Sequence, residues 1–329
     1  MELVDVPHVY NAYGTLDADS VIAPPGAESF DSGWVTYHWT FTDAGRTSIG
    51  EPVRRDEWGC TQINPKDTSV AYSVVERPHL TTAEAVATYA WPKPEVTDPF
   101  FESRKRIIQQ YYPDRFICGM LDPAPFVVAF ELYGYEGLLM GLYDHLDALL
   151  AAFRKILDYQ LALIPKFKHM GAHMVNVIDE LAGKQGMMFA PRLFREHFRP
   201  MYDELFAAIH REGMYASLLL DGNLAEIMPD VMDMDLDQLL FAQPHSTGID
   251  VIADYCGGKR CVKMAVDMME TLASGTPQEI EAEVDEMVRK LHTPRGGLVF
   301  QALRWHRPEY HPRRVAAQIA AMNKYRQGA

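Results

Sequence analysis

The sequence predicts an α/β protein, a single-domain (β/α)8 barrel with an irregular N-terminal cap, and three observations predict it. From about residue 100 onward, short apolar runs alternate with long amphipathic stretches, the pattern of βα units that feed a parallel sheet. The apolar runs end, one after another, in polar or charged residues, as barrel strands do where they reach the mouth. The 329 residues, 48% hydrophobic and 23% charged, suffice for one barrel with insertions, and no polar linker divides them.

Residues 1–100, rich in aromatics, Gly and Pro, predict strands at 20–23 and 35–41 and supply the rest of the barrel together with a cap over its mouth. Residues 101–329 are the regular part. The run 116–121, FICGML, is the first clear strand and leads into Asp122 and Pro123. Residues 125–142 and then 145–169 read as helices, the second with Leu149, Phe153, Ile156, Leu157 and Leu161 at helical spacing. A strand at 174–178 ends at Asp179 and Glu180, a loop with Gly183 and Gly186 follows, and Pro191 opens a helix to about residue 211.

Next come a strand at 215–220 ending at Asp221, a helix near 224–228, and a strand at 239–242 that ends near His245. A helix starts at about Asp250, and a strand at 262–266 ends at Asp267. The stretch 276–292 is helical, with Pro277 near its start and acids in its first turn, as the helix dipole favours. A last strand at 298–303 leads to Arg304, Trp305 and His306, and a closing helix begins at Pro312.

Composition excludes several classes of function. Lys and Arg number 31 against 45 Asp and Glu, a net charge of −14 that opposes binding to nucleic acid, whose phosphates demand cations. No apolar run reaches the length of a membrane span, and the acidic N-terminus is unlike a secretory signal, so the expected location is the cytoplasm. The four cysteines form no CxxC pair and no zinc-finger spacing.

Chemistry is expected where strand ends converge. Asp179 closes an apolar strand before a flexible loop; Asp221 stands in LLLDGNL, where Gly222 lets a ligand come close; His245 directly follows a strand. These three are the expected catalytic residues, with Asp221 and His245 also the expected metal ligands. Asn176, Glu180, Asn223, Trp58, Arg304 and His306 are the expected substrate contacts. A strand-end aspartate is often no more than a helix cap, and that reading stays open for Asp122 and Asp267.

With these residues in view, the chain resembles the uroporphyrinogen decarboxylase superfamily, and within it the corrinoid-dependent methyltransferases. The resemblance rests on DEWGC at 56–60, ERPHLTTAEAVATYAWPKP at 76–94, GMLDPAPFVVAFELYGYEGLLMGLYD at 119–144, VIDELAGKQGMMFAPRLFREHFRP at 177–200, DGNLAEIMP at 221–229 and GTPQEIEAEV at 275–284, in that order. It implies an enzyme that moves a methyl group from a small methylated compound to the cobalt of a separate corrinoid protein, often with zinc. Homodimer formation is compatible with it. Thiol-activating relatives carry His-x-Cys-Gly-Asn where this chain reads Leu219, Leu220, Asp221, Gly222 and Asn223, and a later Cys is replaced around Arg304 and Trp305. The arginine-rich segment that grips porphyrinogen carboxylates has no counterpart either. The expectation is therefore an O-demethylase, with Asp179, Asp221 and His245 holding a metal or acting as acid and base. The alternatives are a decarboxylase or lyase acting on a polycarboxylate and a non-catalytic ligand-binding barrel.

Overall fold

The structure, a computed structural model, describes residues 2–4, 32–37, 41–46, 52–63, 73–113, 115–294, 296–302 and 311–325. Eight strands form one parallel sheet: β1 (Glu2–Val4), β2 (Ser32–Tyr37), β3 (Phe116–Leu121), β4 (Met174–Asp179), β5 (Tyr215–Leu220), β6 (Gln238–Phe241), β7 (Cys261–Ala265) and β8 (Leu298–Gln301). Their spatial order is β1-β8-β7-β6-β5-β4-β3-β2, the curled arrangement of a (β/α)8 barrel with β1 and β2 as the end strands.

The strands expected from residue 116 onward are all present, within one or two residues at their described ends. The expected strand at 20–23, Arg304 and His306 lie outside the described residues. The single strand expected at 35–41 is two elements: β2 and Phe41–Arg46, the latter opening a four-stranded antiparallel meander with Pro52–Asp56, Thr61–Ile63 and Ser73–Glu76.

Helices depart from expectation where backbone chemistry interrupts them. Residues 125–142 form two helices, Pro125–Tyr133 and Tyr135–Asp144, because Gly134 takes a φ of 71° between them. The stretch from Pro191 contains a π-helical turn, Phe194–Phe198, ahead of Arg199–Arg211. That wider turn precedes Pro200, whose missing N–H cannot join the helical ladder. The expected helix at 224–228 starts later, as Met228–Met232, after a turn in which Leu224 accepts from the N–H groups of Ile227 and Met228.

The ladder registers decide which side chains face into the barrel. Gly119 on β3 lies so close under the helix Leu146–Met170 that a Cβ there would sit 2.3 Å from Phe167 Cδ1, so its row faces outward. Register carries that face through Val175 and Ala216 and, two residues further along the strands, through Val177 and Leu218 to Leu239, Val262 and Leu298, all buried and apolar. The alternate row, facing inward, holds Cys118 and Met120, then Asn176, Ser217, Gln238 and Lys263, with Gln301 on β8. A chain of hydrogen bonds from Ser217 Oγ to Gln238 Oε1 (3.3 Å) and from Gln238 Nε2 to Cys261 Sγ (3.3 Å) confirms that these neighbours share a face. The outward face is apolar, while the inward face mixes these polar groups with Met120, Ile178, Leu219, Leu240 and Val299.

The turn of the meander is fastened to the helical layer. Trp58 is buried edge-on against Tyr159, with centroids 4.9 Å apart, and against Trp91 at 6.5 Å. Cys60 donates its thiol hydrogen to the Glu131 carbonyl at 3.3 Å. No helix among the described residues is long and apolar enough to cross a membrane.

Candidate active site

Parity along β4 sets Asp179 and Glu180 to opposite jobs. Asp179 belongs to the outward row, opposite Leu220, and is fully buried. Its Oδ1 accepts from the Val127 N–H at 2.8 Å and the Glu180 N–H at 3.1 Å; its Oδ2 accepts from the Phe126 N–H at 3.0 Å and the Tyr202 hydroxyl at 2.7 Å. Burial pushes its pKa up to about 6 against the pull of those four donors. The first N–H groups of the helix Pro125–Tyr133 are thus capped by the acid of the next strand, not by Asp122, which precedes the helix in sequence.

Asp122 is thereby left available to the mouth. It follows β3 by one residue, is partly buried, and has its pKa pushed up to about 7, first by desolvation and then by the charges of Glu180 and Asp179. Glu180 is open to solvent yet ringed by protein, and the loss of surrounding water holds its carboxyl above the ordinary value. With Asp221 one residue beyond β5, three neighbouring strands present three carboxyl groups at the inner rim.

His245 is drawn into the outer layer. Its Nε2 lies 3.2 Å from Glu283 Oε2 on the helix Pro277–Leu291 and its Nδ1 3.1 Å from Glu270 Oε2, while its backbone N–H donates to Asp267 Oδ2 at 3.0 Å. Glu283 foremost, aided by Glu270 and Asp267, raises the imidazole pKa to about 9, so it is a cation at neutral pH. Asp267 also accepts from the N–H groups of Met269 and Glu270, which makes it the cap of the turn after β7.

A short hairpin, Ala182–Gly183 with Gly186–Met187, leaves β4 and straps the following loops. The Asn223 N–H donates to the Gly183 carbonyl at 2.9 Å, and Thr247 Oγ1 donates to the Gly222 carbonyl at 3.0 Å. Gly222 has a φ of +87°, and a Cβ on it would sit 2.3 Å from the Ala182 carbonyl oxygen, so only glycine lets the hairpin cross here. Asn223 Oδ1 accepts from the Ala225 N–H at 3.1 Å, closing its own turn. At the hairpin tip Lys184 reaches Glu270 at 2.7 Å, joining the loop after β4 to the loop after β7.

Inside the barrel, Asn176 is 1% exposed with neither amide atom hydrogen-bonded, and the Gln301 side-chain oxygen is equally orphaned at 3% exposure. The structure therefore brings Asn176, Glu180 and Asp221 to the inner face or its rim, while it gives Asp179, His245 and Trp58 buried or ion-paired positions in the outer layers. The sequence left Asp122 open between a helix cap and a group at the mouth, and it did not single out Gln301. The signal for Gln301 was available, since it is polar at the end of an otherwise apolar strand, LVFQ.

Comparison with known proteins places this geometry in a lineage. The sequence profile described as uroporphyrinogen decarboxylase (URO-D) matches residues 57–325. The chain belongs to the uroporphyrinogen decarboxylase family. Its fold is similar to that of a methyltransferase from Methanosarcina mazei, with TM-score 0.63 and 18% identity over 82% of this chain and 76% of that one. A B12-independent methionine synthase from Shewanella sp. W3-18-1 aligns with TM-score 0.48 and 11% identity, over 68% of this chain and 67% of that one. No protein of curated function matches the chain by sequence.

The zinc that the family resemblance implies does not fit the residues described. Both ring nitrogens of His245 face carboxylates, Asp221-Gly222-Asn223 offers no thiolate, and among the described residues no group of three or more His, Cys, Asp or Glu side chains is placed to hold a metal ion.

Proposed function

We propose that this barrel is a methyltransferase that takes a methyl group from a small O-methylated compound and passes it to the cobalt of a separate corrinoid protein. Family membership and the likeness to a methyltransferase fold support this reading. The observation that carries it is the Asp122 carboxyl at the inner rim, with a pKa of about 7 beside Glu180. Cleaving a methyl ether leaves the electron pair of the C–O bond on oxygen, and that oxygen needs a proton as the methyl group departs to the cobalt. A carboxylic acid poised near neutral pH is suited to give it, since general acids work best with a pKa close to the working pH. In this reading Asp122 is the acid, Glu180 and Asp221 hold the substrate, and Asp179 and His245 position the helix and loops that frame them. The three-carboxylate rim disfavours a polycarboxylate substrate, which weighs against the decarboxylase alternative.

The test is an absorbance assay for methylation of cob(I)alamin or a corrinoid carrier protein, run with the purified protein across a panel of methoxy compounds and methylamines. Methyl transfer from an O-methyl donor, with loss of most of the rate in Asp122→Asn, is the expected result. No transfer from any donor, together with release of carbon dioxide from a polycarboxylate, would overturn the reading.

A further inference from the structure

The interior of the barrel contains polar atoms that nothing in the described protein satisfies, and their number and kind specify a ligand. Asn176 and Gln301 are buried on strands four places apart around the sheet, β4 and β8. The ladder row through Asn176 runs by Ser217 and Gln238 to Cys261 and reaches β8 just before Leu298. Strands in a (β/α)8 barrel are staggered by about eight residues around the ring, hence about four in half a turn, which raises the level on β8 from that point to Gln301. The two amides therefore share one layer and face each other across the interior, below Asp122 and Glu180.

The orphaned atoms are Asn176 Nδ2, Asn176 Oδ1 and Gln301 Oε1, one donor group and two acceptors. Buried polar groups in folded proteins are almost always paired, so two unpaired amides on the inward face of the barrel mark a place where something binds. We infer that Asn176 and Gln301 form the floor of the substrate site and bind a primary carboxamide at the far end of the ligand. A carboxamide supplies two N–H donors, one for each side-chain oxygen, and one carbonyl to accept from Asn176 Nδ2. A carboxylate brings no donor, and a hydroxyl brings only one. This inference rests on the proposed reading in one respect, that the ligand enters from the mouth with its methyl group at the rim.

The experiment measures binding without turnover. 2-Methoxyacetamide, methoxyacetate and 1-methoxypropane are titrated by calorimetry into the full chain and into Asn176→Leu and Gln301→Met, which replace each amide by an apolar side chain of similar size. Side-chain amide resonances, assigned by their disappearance in each variant, are followed by NMR. The expected result is that 2-methoxyacetamide binds the wild type at least about tenfold more tightly than the other two, that each variant loses about tenfold or more for the amide alone, and that both amide resonances move on titration. Melting temperatures should hold or rise, because each substitution removes unpaired buried polar atoms. Equal affinity for the three probes, or variants that bind the amide as well as the wild type does, would overturn the inference. Selective amide binding without methyl transfer would leave this inference standing and remove the proposed reaction.

Discussion

Two carboxylates one peptide bond apart, Asp179 and Glu180, show how differently this molecule uses its outer and inner faces. Asp179 points outward into four donors and is part of the framework; Glu180 lies on the inner rim and meets solvent. The same division separates His245, clasped by Glu270 and Glu283, from Asn176, whose amide bonds to nothing in the described protein. The lesson is that nearness to a strand end does not make a residue part of the site. The period of two along the strand decides it.

Breaking the outward set should cost stability, and most at Asp179. Asp179→Asn turns an amide nitrogen toward N–H or O–H donors and leaves at least one of them orphaned, an expected loss of about 3 kcal/mol in urea unfolding. Gly119→Ala drives a methyl group into Phe167 and should cost about 1–3 kcal/mol by the same measurement. His245→Gln should cost about 1 kcal/mol, given the partial exposure of the ring to water, and its effect depends on pH. The imidazole pKa is raised in the folded state, so its contribution is fully present below the ordinary value near 6.5 and is lost as pH rises through about 9. Wild type and His245→Gln melting curves should therefore differ at pH 6 and converge above pH 9. Lys184→Ala removes an exposed ion pair to Glu270 and should change stability by no more than about 0.5 kcal/mol, fading further in high salt.

Most of the fold was legible in the sequence because each strand from residue 116 onward is an apolar run bounded by polar residues. The breaks at Gly134 and Pro200 were equally visible as letters, but how the helix would yield to each depends on its packing. The N-terminal part was harder to read, since short antiparallel strands such as Thr61–Ile63 carry too few residues to show a period. For the site, the list of strand-end acids was readable and their division of labour was not. Asp122 looks like the cap of the helix that follows it, and only the three-dimensional approach of Asp179 to Phe126 and Val127 frees it from that role. Asn176 in MVNVID and Lys263 in CVKMA break apolar strands with a polar residue, and with Gln301 they announce polar groups in the interior once the inward row is fixed by register.

The most direct test of the division between framework and site is the pH profile of methyl transfer in wild type and Asp122→Asn. Asp122 carries its proton up to about pH 7, so kcat should fall as pH rises through that value. The asparagine variant should be about 10²–10⁴ slower, with the pH dependence gone and with stability at pH 8 equal or higher, because a partly buried charge beside Glu180 has been replaced by a neutral amide. An Asp122→Asn protein that turned over at the wild-type rate with the same fall near pH 7 would contradict the account.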